Sequence, residues 1–238
     1  MQVYKGLDIL TNKITEIEKQ GEIEPDFEFT AEDFFIRAIF YIESILKSKC
    51  VPIIVGGSNS YIETLVEDPK FKSKYNCCFI WIDVALPVLY SFVFIRVDQM
   101  VHAVDEVRGI FVPYADYTKG IRRSIGVPEM DKYLREENKL DNDEESKKML
   151  LQSAIKEIKL NTCKLICRQL EKIRRLRNEK MWPLHHIDAT NVFKKVGKDG
   201  ADDACNEIVL TPSLEIVEEF LRNDDHKFNV EAAETNNI

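Results

Sequence analysis

Two continuous runs of apolar residues constrain the fold of this chain more than any other feature. The first run is VPIIV at 51–55, which ends at a Gly-Gly pair, and the second is CCFIWIDV at 77–84. Runs without polar alternation are typical of strands that are buried on both faces of a parallel sheet. A helical pattern separates the two runs, and a strand–helix–strand order implies a right-handed crossover. The sequence therefore predicts an α/β fold with a parallel sheet flanked by helices.

The start of the chain has the signals of ordered structure. Residues 1–15 predict the end of a strand, a turn at Lys5-Gly6 and a short helix. Further on, Thr30 with Asp33 three residues later forms a capping-box pattern in front of an amphipathic helix that ends near position 48. We expect an ordered segment, a polar loop and then a helix.

The rest of the chain is mainly helical in pattern. Pro87 suits the first turn of a helix, in which apolar residues recur every three or four positions up to Phe111. A long helix is predicted over 144–178, and HHIDAT at 185–190 predicts a last strand. A helix that opens at the following Thr-Pro pair is expected to end near position 221. The sequence thus predicts one domain over residues 1–221 and a polar, disordered tail over 222–238.

Composition excludes several classes of protein. The chain has 238 residues, 45% of them hydrophobic, which is enough to bury a core. Its formal net charge of −8 argues against gripping nucleic acid through bulk charge. The most apolar stretch, 80–97, is interrupted by Asp83, Pro87 and Arg96, so no membrane span is predicted. Six cysteines without disulfide-scaffold spacing indicate reduced thiols in an intracellular protein.

Two short stretches are candidate ligand sites. Gly56, Gly57 and Ser58 lie where the first predicted strand meets a helix, a position where backbone can approach a ligand and free N–H groups favour an anion. Glycine is common in any strand-to-helix turn, so this pattern alone favours the structural interpretation. Arg122 and Arg123 lie between glycines and are a somewhat better anion candidate.

Other familiar signatures are missing. No G-x-x-x-x-G-K-[ST] motif occurs, and no Ser-His-Asp pattern is supported by spacing. Cys163 and Cys167 are one helical turn apart and are followed by His185 and His186. The adjacent histidines lack zinc-finger spacing, so packed thiols are favoured over a metal site.

Several motifs together resemble the isopentenyltransferases that prenylate adenine, and most of all the plant adenylate isopentenyltransferases. The resemblance runs from residue 1 to about residue 221, and the order and spacing of so many motifs make it specific. The motifs are MQVYKGLDILTNKIT (1–15), FTAEDF (29–34), PIIVGGSNSYIETL (52–65), RVDQM (96–100), DEVRGIF (105–111), KGIRRSIGVPEMDKYL (119–134), CRQLEKIRRL (167–176) and HHIDAT (185–190).

The resemblance implies a P-loop-kinase-like α/β domain. It implies transfer of a dimethylallyl group from dimethylallyl diphosphate to N6 of AMP, ADP or ATP, with Mg²⁺, in cytokinin biosynthesis. Matching positions imply that Gln2 faces the adenine, that a turn lines the substrate and that three arginines face the diphosphate. The turn is Gly56, Gly57, Ser58 and Asn59, and the arginines are Arg96, Arg122 and Arg123.

Two of these assignments have equally plausible structural alternatives. Gln2 also fits packing at the end of a strand. Arg96 also fits a surface ion pair with Asp98 or another nearby acid. Both interpretations stay open at the level of sequence.

The sequence also departs from the family pattern. The resemblance places the phosphate-binding loop, the first strand and the general-base aspartate before Met1. The stretch at 18–26 lacks an expected Val-Pro-His-His-Leu-Leu-Gly segment, and HAVDEVR at 102–108 is two residues short. A general base contributes about 10² to 10⁴ in rate and each lost donor to a leaving group costs roughly 3 kcal/mol, so residues 1–238 alone are expected to be impaired or inactive.

Two alternatives remain beside an adenylate isopentenyltransferase. One is a tRNA dimethylallyltransferase, but the inserted helical domain and zinc finger of that branch are not apparent and the acidic charge disfavours tRNA. The other is a non-catalytic adenine-nucleotide binder. The resemblance implies a plastid, mitochondrial or cytosolic location, and residues 1–15 lack a transit-peptide pattern.

Overall fold

The computed structural model divides the chain into two compact units. One unit comprises Met1–Ser73 and Val93–Glu171, and the other comprises Lys74–Phe92 and Lys172–Ile238. Within the described residues, the first unit is helical and the second carries the sheet. The structure describes residues 3–11, 13, 21–137 and 143–235.

Helices dominate the described residues, and none of those helices combines the length and the apolarity needed to cross a bilayer. Short 3₁₀ turns cover Met100–Ala103 and Gly120–Arg123, and a π-helical turn covers Asn206–Leu210. In chain order the elements are α1 (Ala31–Lys47), α2 (Asn59–Glu67), α3 (Pro69–Lys74), β1 (Phe79–Asp83), α4 (Leu86–Gln99), α5 (Val104–Ile110), α6 (Val127–Glu136), α7 (Glu144–Asn178), β2 (Leu184–Asp188), α8 (Thr190–Phe193), α9 (Ala201–Cys205) and α10 (Thr211–Thr235).

The capping box predicted in front of α1 is confirmed. The Thr30 hydroxyl accepts from the backbone N–H of Asp33 at 3.2 Å, and the Asp33 carboxylate accepts from the backbone N–H of Thr30 at 2.9 Å. The Thr30 backbone N–H and the Thr30 hydroxyl both donate to the Asp33 carboxylate and lower its pKa. The two side chains satisfy N–H groups that a helix start would otherwise leave unpaired, which fixes where α1 begins.

The apolar stripe predicted from Leu89 to Phe111 faces the core of the first unit from Val93 onward, whereas Leu89 packs against a separate apolar cluster of the second unit. Four stripe residues, Val93, Val97, Val104 and Val107, are buried. They belong to one apolar cluster with Ile121, Val127, Met130, Leu134, Ala154 and Ile158. The helical period in the sequence therefore located this core correctly.

The described part of the segment at the start of the chain forms turns, and the rest of the short helix predicted there lies outside the described residues. Residues 8–11 form a turn, and Tyr4 makes an isolated parallel bridge with Ile23. The backbone N–H groups of Ile9 and Leu10 donate to the Glu106 carboxylate at 3.0 and 3.1 Å. This distant carboxylate satisfies two backbone donors of the turn.

The strand predicted at 51–55 is wrong. These residues have no regular structure, and four of them are strongly exposed, from 43% for Ile54 to 89% for Val55. A strand needs a neighbour for its backbone N–H and C=O groups. No such ladder joins 51–55 to another described segment. The apolar run therefore has strand propensity without a described partner.

The second unit contains the sheet. Strands β1 and β2, both predicted, pair in parallel with a register from Phe79↔Leu184 to Asp83↔Asp188. His186 Nε2 lies 3.1 Å from Asp83 Oδ2 near the carboxyl ends of the strands. This small parallel sheet with surrounding helices confirms the α/β class.

The last helix starts as predicted but is longer. α10 begins at Thr211 and extends to Thr235, whereas the predicted end was near Leu221. The domain boundary at 221 and the disordered character of 222–238 stay predictions.

A paired carboxylate in the first unit makes stability depend on pH. Arg108 donates to Glu137 through Nε at 3.0 Å and Nη2 at 2.9 Å, and these bonds lower the pKa of Glu137. The ionised Glu137 carboxylate therefore stabilises the fold at pH values above the ordinary glutamate pKa. This stabilisation is lost as the pH falls through the lowered pKa of Glu137 in the folded protein. We expect Glu137→Gln to reduce the free energy of unfolding by about 1.5 kcal/mol at pH 7.

Urea unfolding of Glu137→Gln and the unmodified chain from pH 7 down to pH 3 tests this expectation. The difference between them should shrink as the pH falls. Glu157→Gln, at an exposed position on α7, is the matched control and should show no such trend. A pH-independent difference would contradict the prediction.

Candidate functional site

The glycine-rich turn leads directly into α2. Gly56 has a φ of 156°, and the backbone N–H of Asn59 donates to the Gly57 carbonyl at 2.9 Å. Ser58 is the N-cap residue, yet its hydroxyl makes no capping hydrogen bond. The Ser58 carbonyl accepts from Tyr61 N at 2.9 Å. The turn therefore starts a helix as predicted and leaves the Ser58 hydroxyl uncommitted to the cap.

Gln169 of α7 holds this turn, a role that sequence reasoning missed. Its Nε2 donates to the Gly57 carbonyl at 3.0 Å. The Asn59 side-chain amide donates to the Gln169 main-chain carbonyl at 3.4 Å. A Cβ atom at Gly57 would lie 2.6 Å from Gln169 Nε2, so Gln169 occupies the space that a larger residue would need.

Arg123 lies beside the first turn of α2. Its Nη2 donates to the Tyr61 hydroxyl at 3.3 Å, and that hydroxyl donates to the Phe29 carbonyl at 2.8 Å. The long hydrogen bond to a neutral oxygen leaves the charge of Arg123 uncompensated by that partner. The structure therefore brings one predicted cation, Arg123, to the turn through Tyr61, which the sequence analysis did not single out.

Arg122 has a different environment. It forms an ion pair with Asp26, and only 15% of its side chain is exposed. Its Nε is buried without a hydrogen-bond partner among the described residues. Because a carboxylate already compensates the guanidinium, Arg122 is less available to an anionic ligand than its neighbour.

Arg96 is half-buried on α4, and burial lowers its pKa. The proposed ion pair with Asp98 does not form, because Asp98 pairs with Lys159 Nζ at 2.6 Å. No hydrogen bond or ion pair joins Arg96 to another described residue. Arginine stays protonated in proteins, so Arg96 is a partly desolvated cation that no described residue neutralises. No contact of a described residue links it to the turn.

Gln2 lies outside the described residues, so the structure says nothing of its assignment to the adenine side. The segment that follows it is organised by two side chains, Lys13 and Glu106. The candidate site in the described part of the first unit is therefore the turn with Tyr61, Arg123 and Gln169.

Comparison with known proteins identifies the family. A family model described as IPP transferase matches residues 2–74 and 67–176. The chain belongs to the IPP transferase family. This confirms the resemblance inferred from the motifs.

Named relatives of this IPP transferase are plant proteins. "Adenylate isopentenyltransferase 5, chloroplastic" of Arabidopsis thaliana is 52% identical over 95% of this chain and 72% of its own length. "Adenylate isopentenyltransferase 3, chloroplastic" is 47% identical over 93% of this chain and 69% of its own length. "Adenylate isopentenyltransferase 7, mitochondrial" is 44% identical over 96% of this chain and 73% of its own length. Both are also from Arabidopsis thaliana.

Solved structures of lower identity share the fold. A eukaryotic dimethylallyltransferase acting on tRNA has a TM-score of 0.72 at 19% identity, over 94% of this chain and 71% of that one. The tRNA isopentenylpyrophosphate transferase of Bacillus halodurans has a TM-score of 0.61 at 22% identity, over 90% and 88%. At these identities the likeness establishes the architecture of the IPP transferase and nothing about its acceptor.

The described residues of this IPP transferase can be compared with the donor sets that metal ions need. In the part of the chain that the structure describes, no group of three or more His, Cys, Asp or Glu side chains is placed to hold a metal ion. Mg²⁺ usually needs only one or two carboxylates besides substrate phosphates, so no protein ligand is assigned to it.

Proposed function

We propose that this protein transfers a dimethylallyl group from dimethylallyl diphosphate to N6 of AMP, ADP or ATP, as in cytokinin biosynthesis. The observation that carries the proposal is the 52% identity, over 95% of the chain, to a protein named adenylate isopentenyltransferase. The motifs that match this family include the turn of the candidate site.

The reaction sets clear demands on a site. The N6 lone pair forms a bond to the allylic C1, the C1–O bond breaks, and the diphosphate leaves with the electron pair. N6 must then lose a proton to a base. Negative charge develops on the leaving oxygen, so preorganised cations and N–H donors lower the barrier.

Residues of the candidate site meet part of these demands. Arg123 lies beside the turn, and its hydroxyl partner is neutral, so its charge remains available to a phosphate. Arg96 lies outside the candidate site as its contacts define it; we propose it as a second cation from the resemblance, and no described residue pairs with it. Gly56, Gly57, Ser58 and Asn59 bring backbone close to a ligand at the start of α2. We assign these residues to substrate binding, and Arg122 to structural support of the same 3₁₀ turn.

An adenine nucleotide is favoured over tRNA as the acceptor. The three relatives described above, all named for adenylate, are 44% to 52% identical, whereas the two solved tRNA enzymes described above are 19% and 22% identical. A net charge of −8 also opposes the phosphate-dominated attraction that tRNA binding needs.

Two further parts of the proposal follow from the relatives. Mg²⁺ is proposed as a companion of the substrate phosphates, without protein ligands assigned to it. A plastid or mitochondrial location is proposed because the names of the relatives include "chloroplastic" and "mitochondrial".

A binding and turnover assay on the full chain tests the function. ADP, ATP and a tRNA anticodon stem-loop are titrated separately by calorimetry with Mg²⁺, and each is then incubated with dimethylallyl diphosphate. Mass spectrometry detects the prenylated product. We expect saturable binding of the mononucleotides and none of the stem-loop.

The product decides between the remaining alternatives. Prenylated mononucleotide supports the transferase directly. Mononucleotide binding without product assigns a non-catalytic binder instead. Preferential binding or prenylation of the stem-loop, or no binding of any acceptor, overturns the proposal.

A further inference from the structure

The side chain of Gln169 on α7 reaches the backbone of the glycine-rich turn. Its amide donates to the Gly57 carbonyl at 3.0 Å. Its main-chain carbonyl accepts from the Asn59 side chain at 3.4 Å. The two contacts hold the turn at Gly57 and at Asn59, on either side of Ser58. The Ser58 hydroxyl makes no capping hydrogen bond.

The helix that carries Gln169 is itself fixed. Ala154 and Ile158 of α7 are buried in the core of the first unit, and Ile166 packs against that core one turn before Gln169. The main chain at Gln169 is therefore held in place by apolar packing. A side chain on such a rigid element positions a loop more accurately than one on another loop.

We propose that Gln169 is a positioning residue that holds the Gly56–Asn59 turn in the shape that binds substrate. This inference rests on the proposed function, because the turn is the substrate-lining segment of that proposal. Gln169 acts through the backbone of Gly57 and not by contact with the reacting atoms.

Gly57 and Gln169 form a coupled pair. A Cβ atom at position 57 would lie 2.6 Å from Gln169 Nε2 and 3.2 Å from its Cδ. These atoms are the far end of a flexible side chain, so Gly57→Ala should displace the amide and leave the backbone fold intact. Gly57→Ala and Gln169→Ala should therefore produce the same defect, and the double variant should be no worse than either single one.

Hydrogen exchange on the free chain tests the positioning directly. Gln169→Ala is expected to speed amide exchange in the turn about three- to tenfold, since one hydrogen bond of ordinary strength is lost. Gln169→Glu keeps the size but presents an acceptor to the Gly57 carbonyl, so it should show the same acceleration. Gln152→Ala, an exposed glutamine on the same helix, should leave exchange unchanged.

ADP titration of the same variants tests the link to function. We expect each of three variants to weaken ADP binding about three- to tenfold: Gln169→Ala, Gln169→Glu and Gly57→Ala. Their melting temperatures should equal that of the control Gln152→Ala. Unchanged exchange in Gln169→Ala, or ADP affinity equal to that of the unmodified chain, overturns the inference. If the unmodified chain binds no ADP, the proposed function fails, and exchange alone then decides whether Gln169 shapes the turn.

Discussion

Replacing Lys13 with methionine is expected to lower the free energy of unfolding by about 3 kcal/mol. The Lys13 side chain is completely buried. Its ammonium donates to the Tyr4 carbonyl at 2.5 Å, the Gly6 carbonyl at 2.9 Å and Asp8 Oδ1 at 2.9 Å. An ammonium has three N–H donors, and all three are used. Methionine keeps the volume but leaves the two carbonyls and the carboxylate without this donor.

The size of the effect follows from the acceptors that lose their hydrogen-bond donor. A buried acceptor that loses its partner costs about 1–3 kcal/mol. The Asp8 side chain remains 33% exposed, so water compensates part of its loss. The expected total is therefore at the lower end of the range for breaking a buried ion pair. For a chain of this size, this corresponds to a melting temperature about 6–12 °C lower.

Urea unfolding at pH 7, followed by circular dichroism, measures the loss. Lys70→Met removes the same charge from an exposed position on α3 and is the control, with an expected change below about 0.5 kcal/mol. Asp8→Asn keeps both carbonyl bonds and should give an intermediate loss, which remains measurable if Lys13→Met does not fold. Equal stability of Lys13→Met and Lys70→Met would contradict the prediction.

The parts of the fold that sequence predicted well are those that local rules determine. The capping box at Thr30 and Asp33 needs only residues three apart. The stripe through Val93 and Val97 needs only the helical period. Strand β1 was predicted from a short apolar run, and its pairing with β2 supplied the ladder that the prediction assumed.

The run at 51–55 shows where local rules end. Its composition is at least as favourable to a strand as that of β1, yet Val55 is 89% exposed. Strand formation depends on a neighbour that satisfies the backbone, and no local pattern states whether that neighbour is present. The same limit applies to the turn at 8–11, where the backbone N–H groups of Ile9 and Leu10 donate to Glu106, almost a hundred positions away.

Prediction of the site was similarly uneven. The turn at Gly56 to Asn59 is carried by contiguous residues, so motif matching located it. Arg123 joins it through Tyr61, and Gln169 joins it directly, in both cases by contacts across long stretches of sequence that no local pattern indicates. Arg122 and Arg123 are adjacent in sequence, but only the structure separates the ion-paired one from the one beside α2.

Replacing Arg96 with methionine is expected to have opposite effects on binding and on stability. The guanidinium is half-buried, burial lowers its pKa, and no described residue compensates its charge. A desolvated charge without a partner destabilises the free protein. Methionine keeps the apolar stem, so the free energy of unfolding should stay level or rise by about 1 kcal/mol. Affinity for dimethylallyl diphosphate should fall about tenfold to hundredfold, because a charge-assisted contact is removed.

The changes in affinity and in stability together distinguish a ligand-binding arginine from a structural one. Calorimetric titration with dimethylallyl diphosphate and with inorganic diphosphate gives the affinities, and urea unfolding gives the stability. Arg174→Met, at an exposed position on α7, lowers the net charge equally and controls for long-range electrostatics. A structural Arg96 would behave in the reverse way, with lower stability and unchanged affinity. Equal weakening by Arg96→Met and Arg174→Met would show that net charge, and not a contact at Arg96, governs binding of the diphosphate.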